Sequence, residues 1–490
     1  MGRKIWWSDL FRNIKQTHDD GYIAVGVWNS TSHWLVRLDE NGNEIWNTTA
    51  LPNETHWPRC YIVEQTSDNG FVTAGCHENP SYGVGYNRCI WKVDEDGNTE
   101  WLKIYDDPLN GYHMCIQETE DGGYIVSGEE YISANDWDVF LMKTDSLGNV
   151  EWQHTYRYGE YGDNAYAVRQ TEDGGYILSG RKGITRSYAD YLVIKTDSNG
   201  NEEWNKTYGG KGWDGSQSND ILFAEDGGYY FQGETASFGA GARDIWLIKT
   251  DADGNEEWNK TYGGEEWDMC GGMDFTEGGI IMVGTIDVYV SSPPQQQGIV
   301  IKTDLNGNIE WQQTFGYEEI DQLQSVESTN DGGYIVAGNS DATESSGYGM
   351  YDAWLIKIEA FENDLPDKPD APSGKKKIDV GVEYTYSSSA TDTNGDILYY
   401  TWDWGDNTTS ELLGPYNPGD VCEATHNWTE EGNYLIVVKV TDEHSAESEW
   451  SDPLEVSTPR NRATYNTLLI RLFQRFPNAL PILRQLIEPL

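Results

Sequence analysis

Positive charge is scarce in this chain: 33 lysines and arginines stand against 82 aspartates and glutamates in 490 residues, a formal net charge of -49. A field of that sign repels phosphate backbones and anionic headgroups, which excludes nucleic acid as a partner of the protein body. Long apolar runs are also missing, since none approaches the roughly 18 residues a membrane-spanning helix needs. The opening MGRKIWWSDLF lacks an apolar core of signal-peptide length and runs almost at once into strand-like sequence. The expectation is that a leader or upstream region is absent from this chain. Six cysteines are too few for a disulfide scaffold. Cys60 stands nearly opposite Cys76 about the turn at Asp68, so a local bridge between them is expected, with Cys76 to Cys89 as the alternative. CxxC and HExxH spacings, Walker loops, dinucleotide fingerprints and nucleophile elbows are all missing, so no motif requires a cofactor.

Glycine is plentiful at 53 residues, aromatics make up 13% and prolines number only 16, a composition of β-structure with many tight turns. A DGGYIVxG-like phrase returns seven times, beginning at Asp19, Asp68, Asp121, Asp173, Asp226, Glu277 and Asp331, with a period of about 52 residues. A second phrase, (I/V)KTDxxGNxEW, alternates with it and carries Trp46, Trp101, Trp152, Trp204, Trp258 and Trp311. Its missing seventh copy is completed at the other end of the chain, where KIWW around Trp6 and Trp7 has no preceding IKTD. Each unit reads as four strands whose middle members are apolar on both faces, as sheets stacked face to face require.

These observations predict an all-β fold: a seven-bladed β-propeller over residues 1–360, closed by the N-terminal strand. The units resemble the DGGY-type propeller repeats of secreted archaeal and bacterial surface proteins and, more distantly, quinoprotein repeats. Arg37, Lys92, Lys143, Lys195, Lys249, Lys302 and Lys357 recur at one position and read as structural ion pairs, with Lys195 facing Glu203 across the strands. The DxxGN turns look like the start of a calcium loop, but Leu147 occupies a would-be ligand position, so the Asp reads as a turn former.

Residues 361–377 read as a linker rich in proline and lysine. Residues 378–458 alternate in strand fashion, with Tyr434, Ile436, Val438 and Val440 on one face. YYTWDWGDN at 399, HNW at 426 and GNYLIVVKVTD at 432 resemble a PKD domain, an immunoglobulin-like β-sandwich; the resemblance implies an extracellular spacer or a weak binder of polymers. Asp392, Asn394 and Asp396 offer hard oxygens that could hold Ca²⁺. Residues 459–490 form a basic amphipathic tail with five arginines and one glutamate, apolar at helical spacing and broken by Pro477 and Pro481. The tail resembles a segment found after PKD domains in archaeal surface proteins and is expected to dock on a surface component.

In such a blade the DGG and DxxGN turns share one end of the propeller, and the irregular loops collect at the other, where function concentrates. Those loops present Tyr82, Tyr86, Tyr131, Trp137, Tyr188, Trp213, Trp267 and Tyr348 beside carboxylates and amides, a combination suited to sugar rings. Trp213 and Trp267 occupy the same point of two repeats, which equally suits packing between blades. Paired carboxylates for glycoside hydrolysis would come from Glu129, Glu130, Glu265, Glu266, Glu318 and Glu319, with Glu234 nearby. Seven NxS/T sequons are compatible with export. The reading is a non-catalytic extracellular or cell-surface protein that binds a polysaccharide or surface glycoprotein. A polysaccharide-degrading enzyme and a structural surface-assembly protein are the alternatives.

Overall fold

The computed structural model describes residues 10–28, 32–50, 59–78, 86–105, 114–133, 136–159, 161–185, 188–216, 218, 220–288, 295–316, 320–340, 352–359, 364–443, 446–458, 471 and 475. The chain divides into two units, Met1–Ala360 and Phe361–Leu490. The first holds seven antiparallel sheets in chain order, here blades 1 to 7: residues 10–50, 59–105, 114–156, 164–208, 214–262, 268–315 and 321–358. In every blade but the fifth, the strands follow one another without crossover. Blade 5 has its inner strand broken into Asp214–Gly215 and Ile221–Phe223. Three strands of blade 7 are described, and the KIWW segment expected to supply its fourth lies outside the described residues.

The ring closes without that strand in view. Phe11 N donates to Asn339 Oδ1 at 3.0 Å, and Asn13 Nδ2 donates to Ser325 Oγ at 3.0 Å. Phe11, Ile14 and Trp34 of blade 1 share one apolar cluster with Ile335, Ala337 and Leu355 of blade 7. The middle strands, such as Tyr22–Trp28 and Asp244–Thr250, are buried along both faces, because each sheet is covered by a neighbour on either side. First strands line the axis, and fourth strands alternate between exposed and half-buried residues, as in Glu202–Tyr208.

The recurring cation is the knot of each blade. Lys195 Nζ reaches Asp173 of the DGG turn at 2.8 Å, Glu203 of the fourth strand at 2.9 Å and its neighbour's carbonyl, Thr196 O, at 3.0 Å. Lys92, Lys143 and Lys249 repeat both ion pairs; Lys302 keeps Glu310, Lys357 keeps Asp331, and Arg37 binds Asp19. The expected facing of Lys195 and Glu203 needs one correction. A β-bulge sets Trp204 in register with Lys195, and Glu203 is the extra residue beside it. The same bulge recurs in blades 1 to 6. Burial works to raise the Asp173 carboxyl, but hydrogen bonds from Lys195, Thr171 and Gly175 N bring it down to about 2.

The two glycines of DGG have separate tasks. Gly174 takes φ 78°, the left-handed region, which Asp20 and Asn69 occupy in blades 1 and 2. Gly175 instead lies so close to the partner strand that an added Cβ would collide with Thr196 O. On the fourth strand, Trp46, Trp101, Trp152, Trp204 and Trp258 lie against the turn glycines of the following blade, Gly97, Gly148, Gly200, Gly254 and Gly307. The hydroxyls of Tyr105, Tyr156, Tyr208 and Tyr262 donate to the carbonyls of the last four at 2.6–2.8 Å. The outer strands of blades 1 to 5 thus clip down the next blade's turn. In the DxxGN turn itself, Asp197 accepts from Asn199 N, Asn201 N and Asn201 Nδ2, which leaves its carboxylate occupied as a turn former.

At the opposite end, an aspartate closes each of the connectors that follow blades 3, 4 and 5. Asp163 accepts from Tyr158 N, Asp214 from Gly210 N and Asp268 from Gly264 N. Asp138, Asp190 and Asp244 of the preceding blades stand beside them. Burial, with a neighbouring carboxylate adding to it, pushes Asp138, Asp163 and Asp268 up to about 6.

The bridge expected between Cys60 and Cys76 is not formed, and neither cysteine is in a disulfide. A bulge at Tyr61 places Cys60 opposite Gly75, so Cys76 projects from the other face of the sheet. The alternative with Cys89 fails for the same reason, since Cys89 also pairs with Gly75.

In the second unit, strands Ser373–Gly374, Glu383–Ser389 and Val421–Asn427 form one sheet, and Leu413–Tyr416, Leu398–Asp403, Asn433–Asp442 and Leu454–Ser457 form the other. Trp402, Trp404 and Trp428 fill the core, with Trp402 stacked on Trp404 at 5.4 Å. Residues 367–377, expected as linker, belong to this sandwich. Asp367 N and Asp370 N bond to Thr391 O and Ser389 O, and Ser457 N bonds to Lys376 O. The expected amphipathic tail lies outside the described residues apart from Arg471 and Arg475.

The division of labour in the turn makes Gly174→Asn nearly neutral, within about 1 kcal/mol, and Gly175→Ala destabilising by more than about 2 kcal/mol, measured by thermal or denaturant unfolding. The titrating aspartates fix the sign of the pH dependence. Asp138, Asp163 and Asp268 hold protons in the folded state that an unfolded aspartate releases, so stability rises as pH falls from about 6 towards the ordinary aspartate value of 3.8. Asp121, Asp173 and Asp331, depressed to about 2, contribute stability that is present above 3.8 and lost as pH falls towards 2. A Tm series is therefore expected to peak between about pH 4 and 5 and to fall on either side.

Candidate functional site

The loop end of blades 3 and 4, with the connectors that follow them, carries a groove of about 240 Å³ whose walls include Trp137, Tyr161, Arg181, Thr185, Tyr188 and Trp213. Blade 3 supplies Trp137 from strand Asp136–Thr144, where it faces Tyr131 across the hairpin and meets its ring edge-on at 4.9 Å. The connector to blade 4 supplies Tyr161. The hairpin loop of blade 4 supplies Thr185 and Tyr188, whose side chain is 50% exposed. Trp213 reaches the groove because a bridge to Ala189 holds its backbone beside the strand Ala189–Thr196.

Trp213 and Trp267 behave differently despite their equivalent positions. Arg243 lies over both rings, 3.8 Å from the centroid of Trp213 and 4.6 Å from that of Trp267, and Arg181 stands 5.9 Å from Trp213. Trp213 is accordingly held between two arginines, the packing role that its repeat position also suited. Trp267 keeps 51% of its surface exposed. Of the expected ligand-binding residues, the structure gathers Trp137, Tyr188 and Trp213 in one groove, with Tyr131 behind Trp137 and Trp267 on the next blade. Tyr82, Tyr348 and the side chain of Tyr86 lie outside the described residues.

The carboxylates weighed for catalysis do not converge. Glu129 and Glu130 are consecutive on the strand Tyr124–Ser133 and project from opposite faces of it; Glu130 accepts from Thr155 Oγ1. Glu234 is fully buried, paired with Arg243 at 3.0 Å and accepting from Cys270 N. Glu265 is exposed and Glu266 half-buried on the connector to blade 6, and Glu318 and Glu319 lie outside the described residues.

Around the axis lies a cluster that the sequence reading missed. Lys15 pairs with Glu327 at 2.7 Å; Arg169 approaches Asp220 at 3.4 Å and Glu64 at 3.9 Å and donates to Cys115 Sγ. Asp274 accepts from Ser328 N and senses Lys15. One residue from each blade thus meets at the centre. Burial, against the pull of Lys15, pushes Glu327 up to about 7, helped by Asp274 and Glu64. Burial opposes the charge of Lys15, but Glu327, Asp220 and Glu64 together hold its pKa above the ordinary lysine value. This network ties inner strands to one another, and its signal was legible: single charged residues interrupt the inner-strand phrases NIKQT, IVEQT, AVRQT and SVEST.

In the second unit, Asp392, Asp396 and Asp442 are buried, and one carboxylate oxygen of each lies within 4.8 Å of the others. Asp392 Oδ1 accepts from Asn394 N, Gly395 N and Asp396 N, while its Oδ2 is buried with no hydrogen-bond partner. Asn394, expected as a ligand, instead accepts from Asp364 N through Oδ1 at 2.7 Å. Asp442 was missed, although the alternation that buries Ile436, Val438 and Val440 lands on it two residues later. Three carboxylates at this separation favour a cation of the calcium type, which takes six to eight oxygens.

Comparison with known proteins locates one family in the chain. Residues 367–457 match the family model of the PKD domain. The PKD domain of an M14-like peptidase from a Thermoplasmatales archaeon is 36% identical to this chain, covering 20% of it and 100% of the peptidase domain, with a TM-score of 0.19. A microbial collagenase of Vibrio alginolyticus is 31% identical over 125 residues, which span 25% of this chain and 14% of the collagenase. A GH43_1 enzyme from Xanthomonas citri, solved with xylotriose, is 9% identical and covers 52% of this chain and 92% of its own, with a TM-score of 0.31. The propeller assignment rests on the seven sheets themselves, and the second unit carries a PKD domain.

Proposed function

We propose that this chain is a non-catalytic extracellular or cell-surface binding protein. Its propeller loop end recognises a glycan or glycoprotein, and the PKD domain serves as spacer. The observation that supports the reading is the groove at the loop end, where aromatic side chains from blades 3 and 4 and from the connectors that follow them stand beside hydroxyl and guanidinium groups. Sugar rings have an apolar face and a polar rim, and that mixture of surfaces matches them. The hydrolase alternative would need two carboxylates facing each other across a groove, and Glu129, Glu130 and Glu234 are committed elsewhere.

Retention of the full chain on a panel of insoluble and soluble polysaccharides, with released sugar assayed in the supernatant, tests this reading. Retention without release is expected. Tyr188→Ala is expected to weaken retention by about tenfold, equivalent to ~1.4 kcal/mol, while the buried Glu129→Gln leaves it unchanged. Sugar release would favour the enzyme, and self-association without retention would favour a structural assembly protein. We further propose that Asp392, Asp396 and Asp442 hold Ca²⁺ and stabilise the PKD domain. Calcium is expected to raise the Tm of this transition and EDTA to lower it, with the response lost in Asp442→Asn and kept in Asn394→Ala.

A further inference from the structure

In a chain with 82 acidic side chains, the arginines at the loop end of the propeller have carboxylate partners close at hand. Arg157 pairs with Asp136 at 2.8 Å and Arg243 with Glu234 at 3.0 Å. Arg181 does not follow them. Its Nε donates to Asn164 Oδ1 at 2.7 Å, which fixes the plane of the guanidinium, and the group stands 5.9 Å from the Trp213 ring. Among the described residues no carboxylate lies within ion-pair distance of it, and its two terminal nitrogens have no protein acceptor. Arg181 nevertheless lines the aromatic groove together with Trp137, Tyr161 and Tyr188.

A guanidinium held by one edge presents the remaining donors as a fork, and a carboxylate fits that fork with two parallel hydrogen bonds. The groove, at about 240 Å³, is smaller than the ~300–1,000 Å³ of pockets that enclose drug-sized ligands, so it has room for a single sugar ring. The net charge of -49 sets the second condition. A polyanion laid across the surface would meet an acidic body at every step, whereas one carboxylate inside the groove is within a Debye length of ~8 Å of Arg181 at physiological ionic strength. Resting on the glycan reading above, we infer that the groove selects a single uronic acid unit on an otherwise neutral glycan, its carboxylate on Arg181 and its ring between the aromatic walls.

The test uses the full chain and three probes: an oligosaccharide ending in glucuronic acid, the same oligosaccharide with that carboxyl reduced to the alcohol, and polygalacturonate. The wild-type protein is expected to bind the acidic oligosaccharide about tenfold more tightly than its reduced twin. Arg181→Gln should bind the two alike, at the affinity of the reduced form. Tyr188→Ala should weaken both and leave their ratio intact, which separates charge recognition from ring stacking and controls for misfolding. Polygalacturonate should bind no more tightly than the single uronate and should gain affinity as salt screens the body. Equal binding of the twins by the wild-type protein, or a preference that survives Arg181→Gln, overturns the inference and leaves the glycan reading standing. Failure to bind any saccharide overturns both.

Discussion

A buried cation joining a turn of each sheet to its outer strand is the interaction on which the propeller depends. In each of blades 2 to 5 a lysine that has lost almost all contact with water lies between the aspartate of the DGG turn and a glutamate of the fourth strand. Burying an ammonium costs several kcal/mol unless opposite charges and carbonyl oxygens surround it, and the three partners supply both. The carboxylates themselves remain half-exposed, so they keep much of their hydration while fixing the lysine. One cation therefore sets the register of first hairpin, second hairpin and bulge together.

The same end of the molecule also carries the links between blades. The fourth strands of blades 1 to 5 each lay a tryptophan against the next turn and, in four cases, a tyrosine hydroxyl donates to its glycine carbonyl. Charged side chains from six blades and the Cys115 thiol of blade 3 then meet around the axis, with Arg169 spanning from blade 4 to Glu64 of blade 2. With the turn end constrained by repeated contacts, the loops at the other end carry no such obligation and differ from blade to blade. The aromatic groove and Arg181 belong to that freer end, which is where variable recognition is compatible with a rigid scaffold.

The fold was largely legible because its causes are local. Asp, Gly and the following apolar run recur at a fixed interval, and the hub lysines recur with them, so fold, blade number and the ion pairs could all be read from the phrases DGGYIVxG and IKTDxxGNxEW. What escaped was whatever a bulge changes. An extra residue at Tyr61 turns Cys76 away from Cys60, and another at Glu203 shifts the register against Lys195 by one, because strand side chains alternate with a period of two. The candidate calcium ligands show the same limit: Asp392 and Asp396 are close in sequence, but the third carboxylate, Asp442, comes from a strand nearly fifty residues on.

Sequence by itself determined the seven blades, the face on which turns and loops lie, and the PKD sandwich, because periodic burial and turn chemistry act between residues a few positions apart. Tertiary structure alone decided which loop aromatics share a groove, that Trp213 is held between arginines while Trp267 keeps an open face, and that Arg181 stands without a carboxylate among the described residues. Those outcomes depend on how neighbouring blades bring together loops far apart in the chain, and no local pattern encodes the distance between them.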